Sequence, residues 1–228
     1  MTNATFSITI VFVSYLLHYF VSDSAALRNK LTSRHDAEKS QMQLIFFRRI
    51  SGFFLFACTA LCYILYTKLP FSSIGIAVYN HLNALYYVLA IGGSLLALNY
   101  FTARKPGNLS KVPLIRATSW TKSLLVKNAL SILFFLLGYE VMFRGVLFLG
   151  CLNDFGVVTA TVINTVFYSL VHFPKGLKST IITIPFGIIL CVVTFITGTI
   201  WAAFVIHIIY VFSLEMLSLR FHPDMKIE

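Results

Sequence analysis

An all-α, polytopic membrane helix bundle is the fold class this sequence predicts, and three observations predict it. The chain of 228 residues is 58% hydrophobic and only 11% charged, where soluble domains run near 45–50% apolar and about 25% charged. Its apolar residues come in runs of about 20, the length that crosses a bilayer as a helix. Its basic residues fall almost entirely between those runs.

The first run, 5–22, has no basic segment before it and is long for the apolar stretch of a secretory signal, so it reads as a retained first helix. Further runs at 45–66, 79–101, 128–150, 156–173, 178–197 and 199–219 bring the predicted total to seven spans. Three of them occupy residues 1–108, four form a core over 128–220, and 221–228 remain as a tail. Between these groups, 109–127 mixes Lys, Arg and Trp with aliphatics, which suits either an amphipathic segment at the interface or a solvated loop. No Gly/Ser- or Pro-rich linker divides the chain, and it carries no internal repeat.

Charge placement predicts orientation. If seven spans alternate, 16 of the 18 Lys and Arg fall on one side, only Lys68 falls opposite, and Arg144 lies within a span. Positive charge accumulates on the cytoplasmic side, which puts the N-terminus outside and the C-terminus in the cytoplasm. The same placement argues against nucleic acid as the partner of a chain with net charge +10. A bacterial cytoplasmic membrane is the expected location, since the chain is short and has no organellar signal. Cys58, Cys62, Cys151 and Cys191 lack the paired spacing of a zinc or redox motif and read as small packing residues.

Four residues contradict their apolar surroundings: Glu140, Arg144, His172 and His207. An ionisable group at membrane depth costs roughly 2.5–3.5 kcal/mol on insertion scales and usually faces the bundle interior. Glu140 and Arg144 stand i, i+4 and share a helical face; a self-neutralising pair that merely lets the helix insert is one reading. A carboxylate with two imidazoles can also polarise a water, by base action or through a metal. A ruler of 1.5 Å per residue lets Glu140 and His207 meet, but misplaces His172 by roughly 10 Å unless the fifth span is tilted or starts below the surface. His18, His81, Asn83 and Glu215 are expected near span ends, and Asn164 as a helix–helix hydrogen-bonding residue.

The segments "YEVMFRGVLF", "FYSLVHFPKG" and "PFGIILCVVTFITGTIWAAFVIHI" resemble the three signature regions of the CPBP family of intramembrane proteases (CAAX proteases and bacteriocin-processing enzymes), over about residues 128–215. The family pattern is E-E-x-x-x-R, F-x-x-x-H and H-x-x-x-N/D. Glu140 matches its second glutamate, Arg144 its arginine, and His172 and His207 its histidines; Tyr168 takes the Phe position. Tyr139 stands where the water-activating first glutamate is expected, and Val211 where the Asn or Asp is expected.

The resemblance implies an intramembrane endopeptidase acting on a membrane-associated peptide or protein. Glu140 would be the base or water-holding carboxylate, His172 a base or metal ligand, His207 an oxyanion stabiliser, and Arg144 the group that fixes the carboxylate. Zn²⁺ held by His172, Glu140 and His207 is the natural metal for such donors, and metal-free carboxylate catalysis is equally open. Tyr139 and Val211 favour the alternative, a catalytically degenerate member acting as scaffold, regulator or bacteriocin immunity protein. A small transporter is a third reading, and the lack of repeated halves counts against it.

Overall fold

The structure, a computed structural model, describes residues 1–22, 24–32, 36–77 and 81–228. Arg34, residues 79 and 80 of the third expected span, and the side chain of His81 lie outside the described residues. The chain runs through α1 (Asn3–Ser22), α2 (Ala25–Thr32), α3 (Ala37–Thr67) and a 3-10 turn (Phe71–Ile74). Next, α4 (His81–Tyr87) passes through a π-helical turn (Val88–Gly92) into α5 (Gly93–Thr102). A short α6 (Pro106–Leu109) follows. Then α7 (Lys122–Glu140) continues as a π-helical segment (Val141–Leu149) into α8 (Gly150–Leu170). The last helices are α9 (Leu177–Thr197) and α10 (Trp201–Phe221). Two-residue strands, β1 (Ser119–Trp120) and β2 (Lys226–Ile227), pair in parallel.

This is a multi-pass membrane bundle. Among the described residues six helical runs are long and apolar enough to cross a bilayer: Asn3–Thr32, Ala37–Thr67, Leu82–Thr102, Lys122–Leu170, Leu177–Thr197 and Trp201–Phe221. Large aliphatic side chains such as Leu65, Leu82, Val158 and Leu177 are exposed on its flanks, where a lipid tail is as good a solvent as another leucine.

Six runs stand against seven expected spans because the fourth and fifth expected spans are the two legs of one run of 49 residues. That run is not straight. The Asn164 side chain bonds the Phe143 carbonyl, and the Tyr168 ring meets the Phe143 ring at 5.8 Å. Along a straight helix, 21 residues would separate Asn164 from Phe143 by about 31 Å. The chain therefore doubles back, and it does so at Gly156, whose φ of 74° and ψ of 169° are non-helical. Only glycine adopts that region without strain, because it has no Cβ to collide with the backbone.

The reversal also corrects the depth estimate for His172. The expected fourth span stops at residue 150, whereas helix continues to residue 155 before the break. Contacts between the antiparallel legs pair Phe143 with Asn164 and Tyr139 with Tyr168, so Tyr168 stands near the level of Glu140 and His172 about one turn beyond it.

The two ends of the bundle differ. At one end the N-terminus of α1 is held by Asp154, which accepts from Ala4 N. There the 71–76 loop meets the turn between α9 and α10, with Gly75 O accepting from Ile200 N and Thr199 Oγ1. Ile74 of this loop is fully buried; its carbonyl presses on Gly145, where a Cβ would come within 2.8 Å. At the other, basic end, residues 106–121 fold across the helices. Ile115 and Trp120 are fully buried, packed with Leu124, Leu219 and Met225. Beneath them Arg49 bonds Asn128 at 2.7 Å and Ser131 at 2.9 Å and faces Glu215 at 3.8 Å, while Glu215 accepts from Leu114 N.

Gly156→Ala is expected to destabilise the bundle by about 1–3 kcal/mol, the scale of a side chain forced into a glycine-only backbone region. Gly93→Ala, at a helical site with open space around it, is expected to be neutral or slightly stabilising. Thermal unfolding in detergent micelles compares the two.

Candidate functional site

Three elements converge at mid-bundle. α7 ends on Glu140, the π-helical segment presents Arg144, and α10 brings His207. Glu140 and Arg144 are fully buried and His207 is 5% exposed. Glu140 Oε1 lies 2.5 Å from His207 Nδ1. The other carboxylate oxygen, Oε2, lies 3.3 Å from Arg144 Nε, in ion-pair contact without hydrogen-bond alignment. Arg144 Nη1 reaches Oε1 at 3.5 Å. The guanidinium also stands 4.5 Å over the Tyr168 ring, a cation–π arrangement strengthened where water is absent.

Hydrogen-bond chemistry settles the histidine tautomers. A carboxylate beside an arginine can only accept, so His207 Nδ1 donates. His172 Nδ1 lies 2.9 Å from the Tyr168 carbonyl, which likewise can only accept. In its neutral form each imidazole then offers Nε2 as an acceptor.

His172 makes no hydrogen bond or ion pair to Glu140, Arg144 or His207 among the described contacts. The link is Tyr168, which touches His172 with ring centroids 5.1 Å apart and His207 at 6.2 Å. So the structure joins three of the four expected residues directly and the fourth through an aromatic ring. In the sequence Tyr168 is a mild replacement for Phe; in the structure it is the hub, 1% exposed. Its place four residues before His172, one turn up the same face, was the available signal.

Tyr139 also faces this centre. Its ring packs on Phe143 at 4.5 Å and edge-on to Tyr168 and His207, yet its hydroxyl has no hydrogen-bond partner. Arg144 Nη2 has no hydrogen bond among the described residues either, and Glu140 Oε2 and Arg144 Nε have only their mutual ion-pair contact. Val211 packs in an apolar cluster with Ile132, Leu136, Phe204 and Phe212 and contributes no polar group. An apolar groove of about 630 Å³ runs outside, along α8 and α9 between Val162, Thr165, Ile184 and Ile188; none of the four charged or imidazole side chains lines it.

A three-ligand zinc site does not fit these donors as they stand. Zinc enzymes use three protein ligands and an open position. Glu140 is committed to His207 on one oxygen and to Arg144 on the other, which leaves two imidazole nitrogens. No three His, Cys, Asp or Glu side chains gather as a metal-holding set among the described residues.

A family model described as type II CAAX prenyl endopeptidase Rce1-like matches residues 121–213, which include Glu140, Arg144, His172 and His207. No curated protein and no solved structure matches the chain. The matched segment is the part of the chain that builds the buried centre, and by it this part of the protein is similar to the CPBP, or CAAX-protease, family.

Proposed function

We propose that this protein is an intramembrane endopeptidase that hydrolyses a membrane-associated peptide or protein. The observation that carries this reading is the 2.5 Å bond between Glu140 and His207, set among polar atoms that have no partner of their own. Leaving a buried donor or acceptor unpaired costs about 1–3 kcal/mol. A bundle that needed only to fold does as well with apolar residues of similar volume. Groups kept at such cost are suited to bind water and a peptide carbonyl.

The geometry exchanges two of the expected roles. Glu140 Oε1 holds His207 in the tautomer whose Nε2 accepts a proton, so His207 is the base and Glu140 the group that orients it. Nε2 takes a proton from water as the water oxygen bonds to the peptide carbonyl carbon. Charge that develops on the carbonyl oxygen is met by Arg144 Nη2 and the Tyr139 hydroxyl. The proton then passes from His207 to the amide nitrogen as the C–N bond breaks. His172, joined to this centre through Tyr168, supplies a second acceptor for water. Tyr139 thereby has a use at the position where the family carries a glutamate.

Tyr139 and Val211 also support a second reading, a non-catalytic scaffold or regulator. Tyr139 sits in a closed ring of aromatics with Phe56, Phe135, Phe143 and Tyr168, and Val211 cannot orient His207. For location we propose a bacterial cytoplasmic membrane with the basic end of the bundle facing the cytoplasm, as the concentration of Lys and Arg at that end supports.

Purified protein in liposomes, offered a library of membrane peptides, separates the two readings. Cleavage by the parent chain is expected to fall about 10²-fold or more in His207→Ala and Glu140→Gln, the range of a lost acid–base catalyst. Glu140→Gln also strips Arg144 of its counter-charge, so a melting curve accompanies it. No cleavage by the folded parent, or equal cleavage by all three, would sink the peptidase reading.

Tyr139→Phe is expected to lower kcat about 10-fold or more with little change in KM if the hydroxyl serves the oxyanion. An unchanged kcat would remove that role from Tyr139. Orientation is read by impermeant thiol labelling of cells: a cysteine at Lys68→Cys should react from outside and one at Lys111→Cys only after permeabilisation.

A further inference from the structure

The π-helical segment Val141–Leu149 follows directly on Glu140. π-Helix is rare, occurs mostly as single turns and needs support, because an inserted residue loosens the backbone ladder on one side. Here it runs for nine residues at the point where the chain must choose which of two neighbouring side chains faces His207. Adjacent α-helical positions point about 100° apart, so the backbone path after Glu140 decides where Arg144 stands relative to the carboxylate.

Two outside contacts hold that path. On one flank Ile74 O closes against Gly145. On the other, Asn164 of α8 donates from Nδ2 to Phe143 O at 2.5 Å. Asn164 is fully buried and is itself fastened from behind, since Cys191 Sγ of α9 donates to its Oδ1 at 3.2 Å. Phe143 is the residue before Arg144, and its ring packs on both Tyr139 and Tyr168. One amide thus ties α8 and α9 to the backbone turn that carries the charged centre.

We propose that Asn164 is a positioning residue: by bonding the Phe143 carbonyl it holds the π-helical segment in the path that keeps Glu140 and Arg144 in register with His207. Asn164 touches neither an ionised group nor an imidazole and acts through the backbone. The kinetic part of its test rests on the peptidase reading above; the spectroscopic part does not.

The test uses the full chain in nanodiscs with ¹⁵N-labelled histidine. A short N–H bond to a carboxylate gives a proton resonance far downfield, assigned to His207 Nδ1–H by its loss in His207→Ala. Asn164→Leu, close in volume and without the amide, is expected to shift or broaden that resonance while the helical circular dichroism is retained. If the chain cleaves peptides, kcat should fall about 10-fold or more with KM nearly unchanged, the scale of a small misplacement of reacting groups. Thr161→Val, which removes a hydroxyl bonded only within its own helix, should change neither. A resonance unmoved in folded Asn164→Leu overturns the proposal, whatever the activity. Should Asn164→Leu not fold, Asn164→Ser, too short to reach Phe143 O, is judged by the same resonance. A parent chain that cleaves nothing, with the resonance moved as expected, removes the peptidase reading and leaves the positioning role standing.

Discussion

A carboxylate sealed inside a membrane bundle must find its compensation within the protein, and this constraint organises the core of the structure. Glu140 has no exposed surface, and in a low-dielectric interior an unpaired charge costs far more than any local packing can return. Arg144 supplies the counter-charge and His207 the hydrogen bond. Each demand fixes an element: Arg144 requires the helix to continue past Glu140, and His207 requires α10 to lie against α7. The aromatic side chains of Tyr139, Phe143 and Tyr168 fill the remaining space and keep the effective dielectric low.

The surrounding fold serves that alignment. Gly156 turns the α7–α8 run back on itself, so that α8 brings Tyr168 against Arg144 and Tyr139. Asn164 and Ile74 press on the π-helical segment from opposite flanks. At the basic end the packing of Trp120 and Ile115 on the bundle, with the Arg49–Asn128–Glu215 contacts beneath, closes the helices off. The bundle therefore holds two buried ionic centres on the same helices. On α7 they are Asn128 and Glu140, on α10 Glu215 and His207, and Leu136 and Val211 stand in the apolar layer between.

The two departures from the family pattern acquire physical content once placed. Tyr139 stays beside the centre: its ring packs edge-on to His207, and its hydroxyl has no hydrogen-bond partner among the described residues. Val211 belongs to the apolar layer. The work expected of an Asn or Asp there, orienting His207, falls to Glu140, which reaches Nδ1 from another helix. The carboxylate is thus engaged in holding an imidazole, which is the proton acceptor in the proposed mechanism.

Composition and the spacing of apolar runs were enough to read a helical membrane bundle from the chain, because a bilayer demands long apolar helices whatever their packing. The residues worth attention were equally legible: Glu140, Arg144, His172 and His207 are expensive where they stand, and cost is visible in one dimension. The chain order placed a reversal between residues 150 and 156 but not how far helix runs before it. The break lies at Gly156, after helix that continues to residue 155, and a backbone with φ of 74° there is chosen by the fit of α8 against α7, a long-range matter. The depth of His172 turned on it. The π-helical path after Glu140, the hub position of Tyr168 and the contact between Glu140 and His207 were likewise decided in three dimensions. Each depends on contacts between residues 21 to 67 positions apart, and no local propensity encodes those.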